Sequence, residues 1–146
     1  NKSEISVGYS TLYGDSVGAI SVLGDLYKTE VFRLCEFINQ KYNGIIPEEI
    51  ITRPPTAELR ENQRDDQSLP PYEILDAILE GFLSYRLGVS DLAQLGHDQE
   101  QIRKVIDLYQ RSEYKRKQFP PIIKVKTKSF GFGYRIPICK ASNIYI

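Results

Sequence analysis

Three proline pairs, Pro54-Pro55, Pro70-Pro71 and Pro120-Pro121, divide this chain into stretches that no single helix or strand can cross. Each proline fixes its own φ, lacks a backbone donor and pushes the preceding residue out of the α region. The first two pairs bracket a polar stretch that includes Glu61-Asn62-Gln63-Arg64-Asp65-Asp66-Gln67. Leu59 is its one apolar side chain of any size before Leu69. Ordering costs roughly 1–2 kcal/mol per residue, and one leucine does not offset that. Residues 56–68 are therefore expected to be mobile without ligand, with stiff ends and a charged middle that suit a flap over a ligand.

Between these breaks the periodicity is helical. A short helix or turn is expected at 3–8, followed by an irregular Gly- and Tyr-rich loop in which Gly14, Gly18 and Gly24 allow sharp turns. Val31, Leu34, Cys35, Ile38 and Tyr42 form one stripe, ended by Asn43-Gly44. A helical turn starting at Pro47 follows. Leu75, Ile78, Leu79, Phe82 and Leu83 make a second stripe that Gly88 should stop. Ser90 is read as the cap of a brief helix, and Asp98 as the cap of a longer one running through Lys117. Ile122–Lys128 alternates apolar and basic residues, as a short exposed strand or extended arm would. The sum is a predominantly helical chain with little strand.

The 146 residues suffice for one domain with its own core, and 41% hydrophobic with 26% charged residues is ordinary for a globular protein. No apolar run reaches the roughly 20 residues needed to span a bilayer, and Asn1–Glu4 has no signal-peptide pattern. Cys35 reads as a reduced core thiol, His97 as a surface residue, and no zinc spacing occurs. A cytoplasmic protein without membrane contact is expected. Net charge is zero, yet residues 1–100 hold 8 basic and 17 acidic side chains while residues 101–146 hold 11 and 2. Such a split suits an anionic ligand, an anionic polymer or an oppositely charged neighbour, and also a solvated face.

The segments Asn1-Lys2-Ser3-Glu4, Tyr9–Asp15, Tyr27-Lys28-Thr29, Pro54-Pro55-Thr56-Ala57-Glu58-Leu59, Leu69–Asp76 and Glu113–Gln118 are more specific. In this order they resemble the C-terminal part of the NAD synthetases, from Asn1 to about Lys140. Lys128–Gly131 and Tyr134–Ile138 resemble the bacterial glutamine-dependent branch. The resemblance implies an α/β parent, Rossmann-like, with a parallel sheet of the adenine-nucleotide hydrolase type. Its Ser-Gly-Gly-x-Asp-Ser pyrophosphate loop is missing, since the chain has no Gly-Gly pair. Residues 1–146 are thus expected to be the C-terminal portion of the amidating domain, cut from a longer polypeptide. The nitrilase-like glutaminase domain is absent as well, neither cysteine matching its nucleophile.

The implied reaction is ATP-dependent: the nicotinate carboxylate of deamido-NAD is adenylated, and ammonia derived from glutamine then displaces AMP to give NAD. Magnesium and ATP are the implied co-reactants, and a homo-oligomeric parent enzyme is expected. Glu4 matches the glutamate at the junction of ATP and deamido-NAD, and is the implied Mg²⁺ ligand. Lys28 and Thr56 match ATP-contacting residues, and Lys115 a deamido-NAD contact. No residue of the chain is assigned a catalytic role. Leu12, Ala19 and Tyr114 depart from the ammonia-dependent enzymes, so their contacts are not carried over. The isolated chain is expected to be inactive. Two rival readings attach to the basic end, an interaction module and a nucleic-acid binder. Lys128–Arg135 resembles an RNA-recognition signature, but Ser129 and Gly133 break it and no βαβ pattern precedes it.

Overall fold

The structure, a computed structural model, describes residues 1–56, 65 and 68–139. The expected flap at 56–68 therefore lies almost wholly outside the described residues. Seven helices occur among them: α1 (Lys2–Val7), α2 (Lys28–Lys41), α3 (Glu48–Thr52), α4 (Tyr72–Ser84), α5 (Val89–Gln94), α6 (Gln99–Arg111) and α7 (Glu113–Arg116). Pairing between extended segments is limited there to two isolated bridges, Ser21 with Ile122 and Gly131 with Tyr134. The 122–128 segment is the extended arm of the two forms expected.

α4 and α6 supply the middle of the core. Leu75, Ile78 and Leu79 of α4 and Ile102 of α6 are fully buried, and Phe82 meets Tyr109 edge to face at 5.4 Å between ring centres. α1 lies across both, burying Ile5 and Val7. Gly81 is where α5 comes close: an added Cβ would sit 2.7 Å from Cδ2 of the buried Leu92. Gly81→Ala should therefore destabilise the chain, by up to about 2 kcal/mol. Overpacking costs about 1–3 kcal/mol and outweighs the roughly 1 kcal/mol gained in helix propensity. Chemical denaturation measures this directly, and a stabilised variant would show that α5 can move aside.

Several boundaries differ from the sequence expectation for local reasons. α1 starts at Lys2 and ends at Val7, one residue earlier at each end than the expected 3–8, and Asn1 caps it, accepting from the Glu4 N–H at 3.1 Å. Pro47 is the residue before α3, one position earlier than expected. α4 ends at Ser84, short of Gly88, because Arg86 turns left-handed (φ 59°) and Leu87 N–H closes on the Gly81 carbonyl. Gly88, not Ser90, precedes α5, and its N–H donates to Asp91. Asp98 caps α6 as expected, accepting from Gln101 N–H at 2.9 Å. The long helix breaks at Ser112, whose hydroxyl donates to the Leu108 carbonyl at 2.7 Å. α2 buries none of its residues fully, and Cys35 is a half-buried free thiol, not a core one.

Candidate functional site

The N-terminus of α2 is built from side chains distant in sequence. Tyr27 N–H donates to Glu30 at 2.8 Å, Lys28 N–H to Ser3 Oγ at 2.8 Å, and Thr29 N–H to Asp76 Oδ2 at 2.9 Å. Ser3 Oγ in turn donates to Asp76 Oδ1, and the Thr29 hydroxyl to Asp76 Oδ2 at 2.8 Å. Asp76 thus joins α4 to α1 and α2, satisfying donors that a helix start leaves open. Burial pushes its carboxyl above the ordinary 3.8, and the bonds from Ser3 and Thr29 pull against that rise. A raised folded value means that the folded chain holds this proton more tightly. Titration of Asp76 therefore costs stability as pH climbs from 3.8 through the folded value, and the three bonds limit the cost.

Lys28 projects from this corner. Its Nζ donates to Glu4 Oε1 at 2.9 Å and lies 5.7 and 5.5 Å from the ring centres of Phe32 and Tyr72. Two of the residues singled out in sequence, 24 positions apart, therefore meet directly. Lys28 stands in the first turn of α2, at the positive end of the helix dipole, and Glu4 balances its charge there. An ammonium has three donors, and among the described residues only Glu4 takes one, which leaves two for a ligand. Glu4 Oε2 is a hard oxygen beside this lysine. Mg²⁺ is commonly held by one or two carboxylates, with substrate phosphates completing its shell. Glu4 offers one such carboxylate, and no cluster of three metal-ligating side chains occurs among the described residues.

A cavity of about 220 Å³ is lined by the two rings that flank Lys28, Phe32 and Tyr72, together with Asp65, Glu73 and the prolines at 54, 55, 70 and 71. Thr56, half-buried, directly follows Pro55 on this side. Lys115 lies at the opposite end of α1. Its Nζ donates to the carbonyls of Gly8 at 2.7 Å and Ser10 at 2.8 Å, which leaves one donor among the described residues. The structure brings Glu4 and Lys28 together and sets Lys115 about 6 Å further along the α1 axis, at a rise of ~1.5 Å per residue from Glu4 to Gly8.

Several buried charges among the described residues escaped the sequence reading. Lys2 Nζ donates to Asp25 Oδ1 at 2.8 Å and to the Lys128 carbonyl, while Asp25 Oδ2 accepts from the N–H groups of Val125 and Lys126. Arg116, in the last turns of the helix expected to run through Lys117, is 4% exposed. Its guanidinium donates to Glu113 and to the carbonyls of Ser6 and Tyr109, and it stacks 4.1 Å over the Tyr109 ring. Only the helical spacing of Arg116 from Ser112 and Tyr109 hinted at an inward face. A larger cavity of about 350 Å³ lies at this basic end, lined in part by Lys117, Lys124 and Arg135. The RNA-like segment beside it is a tight turn, not a strand: Phe130 packs in the core and only Phe132 of its two phenylalanines is exposed. That geometry does not favour the nucleic-acid alternative.

Residues 1–119 match the family model described as NAD synthase. The chain belongs to the NAD synthase family. Among curated relatives, the glutamine-dependent NAD(+) synthetase of Acinetobacter baylyi is 48% identical over 139 residues, which are 94% of this chain and 26% of that protein. The synthetase of the same description from Synechocystis sp. is 43% identical over 141 residues, 97% of this chain and 25% of the relative. The NAD synthase-family chain thus spans about a quarter of the length of the curated relatives it matches. A crystal structure of a glutamine-dependent NAD(+) synthetase from Cytophaga hutchinsonii shares the fold. It superposes with a TM-score of 0.74 at 21% identity, over 97% of this chain and 24% of that one.

Proposed function

We propose that this chain is the C-terminal portion of the amidating domain of a glutamine-dependent NAD synthetase and forms one wall of its ATP and deamido-NAD site. The observation that carries this reading is the Glu4–Lys28 pair at 2.9 Å, which unites two motif residues beside a cavity. The reaction adenylates the nicotinate carboxylate of deamido-NAD with ATP and releases pyrophosphate. Ammonia from glutamine then displaces AMP. In this proposal Lys28 binds ATP phosphate with its free donors, Thr56 offers a hydroxyl from the proline-led segment, and Glu4 keeps Lys28 extended toward the ligand. Bound Mg²⁺ would be held by Glu4 and would supply positive charge against the phosphates. Such charge matters where negative charge develops in the transition state.

The pyrophosphate loop belongs, in this reading, to a Rossmann-like parallel sheet contributed by other parts of the synthetase, so the 146-residue chain alone makes no NAD. The parent works as a homo-oligomer in the cytoplasm, where ATP is supplied; no helix among the described residues is long and apolar enough to cross a membrane. The test is steady-state NAD formation by the Acinetobacter baylyi synthetase after exchange of its matching segment for this chain. Lys115→Ala in that enzyme should raise the KM for deamido-NAD about 10- to 150-fold, as loss of a charge-assisted hydrogen bond of roughly 1.5–3 kcal/mol implies. The KM for ATP should move much less. Lys117→Ala, at an exposed helix end, should be nearly silent. Equal behaviour of the two variants at matched ionic strength would remove Lys115 from the site.

A further inference from the structure

We propose that Asp65 and Tyr72 form a latch that fixes both diproline segments beside Lys28, making Asp65 a positioning residue for the ATP side of the site. This rests on the reading of Lys28 and Thr56 as ATP-contacting residues. Prolines carry no N–H, so Pro54-Pro55 and Pro70-Pro71 cannot pair with each other through backbone donors of their own. Asp65 supplies the missing connections. Its N–H donates to the Pro55 carbonyl at 3.1 Å, and its own carbonyl accepts from Ser68 N–H at 3.1 Å and Leu69 N–H at 2.9 Å. Its side-chain Oδ2 accepts from the Tyr72 hydroxyl at 2.7 Å. One residue therefore ties the segment before Thr56, the segment before α4 and the first residue of α4 into one unit.

Tyr72 carries the tie to the ligand side. Its hydroxyl is on Asp65 while its ring lies 5.5 Å from Lys28 Nζ. Burial, then Glu4 and Asp65, push the phenol above its usual range, so it stays a donor at any working pH. Asp65 is 5% exposed, and among the described residues its Oδ1 has no hydrogen-bond partner. A buried carboxylate with one open oxygen is costly to keep for packing alone. Its place in the wall of the cavity beside Lys28 gives that cost a purpose: the acid holds Pro55, and with it Thr56, at a fixed distance from the lysine.

Tyr72→Phe removes the latch bond and leaves the ring over Lys28. In the exchanged synthetase it should raise the KM for ATP about tenfold, the order expected for one charge-assisted bond, with the KM for deamido-NAD changed less than about twofold. Asp65→Ala should match it, and Asp65→Asn, whose amide oxygen still accepts from Tyr72, should recover most of the loss. In the 146-residue chain, Tyr72→Phe should also speed hydrogen exchange at the Asp65 and Leu69 amides. An unchanged KM for ATP, or two KM values that rise together with no rescue by asparagine, would overturn the proposal. If the unsubstituted exchanged enzyme forms no NAD, the ATP reading fails by itself. The latch then stands or falls on exchange at those two amides, and unchanged exchange in Tyr72→Phe would sink it.

Discussion

Lys2→Ala is expected to destabilise the chain by about 3–5 kcal/mol, the range for removing one partner of a buried ion pair. Lys2 and Asp25 are both essentially inaccessible, at 1% and 0% exposure, so alanine would strand the carboxylate without water to replace the ammonium. The loss should spread beyond the pair. The lysine also holds the Lys128 carbonyl and lies over the rings of Tyr27 and Phe130, and Asp25 anchors the backbone at Val125 and Lys126. The extended 122–128 arm should therefore detach from α1 in the variant. Urea unfolding monitored by circular dichroism gives the free energy, and proteolysis within the arm reports its release. A cost below about 1 kcal/mol would place the pair at a solvated surface and contradict the burial.

Arg116→Ala should cost a similar 3–5 kcal/mol, because Glu113 would lose its ionic partner and the carbonyls of Ser6 and Tyr109 their donors. Arg116→Lys should recover less than half of this. A lysine keeps the charge but cannot reach a carboxylate and two carbonyls from one planar group, nor stack on Tyr109 as a guanidinium does. Thermal unfolding of both variants against the unsubstituted chain decides it; a lysine variant as stable as the original would show that only the charge matters. Glu113 adds a second consequence. Its Oε1 accepts from Ile136 N–H at 3.2 Å, so loss of Arg116 should also loosen the packing of Ile136.

The helices were largely readable from the chain because their apolar stripes, at Leu75–Leu83 and at Ile102–Tyr109, are the faces that the core buries. The ends of α4 and the start of α5 were not. They depend on Arg86 adopting a left-handed conformation, a choice that Leu87 gains by packing against the core and that no residue type announces. Glu4 and Lys28 were legible as motif residues, but their contact was not, since they lie 24 positions apart with irregular chain from Gly8 to Tyr27 between them. Asp76 sat inside a quoted motif without a role, because its three donors come from α1 and α2. Lys2 and Arg116 were missed for a different reason. A basic residue in a polar helix turn is usually solvated, and only tertiary packing reveals the buried acid and carbonyls that oblige it to turn inward.

The measurement that bears most directly on the proposed role is ATP-dependent NAD formation by the Acinetobacter baylyi synthetase carrying this chain in place of its matching segment, with and without Lys28→Met. The exchanged enzyme should convert deamido-NAD to NAD with glutamine, and Lys28→Met should lower kcat/KM for ATP by at least about tenfold, the loss of one charge-assisted contact, while the protein stays folded. A folded exchanged enzyme that makes no NAD even with added ammonia, or a Lys28→Met variant that uses ATP as well as its parent, would contradict that role.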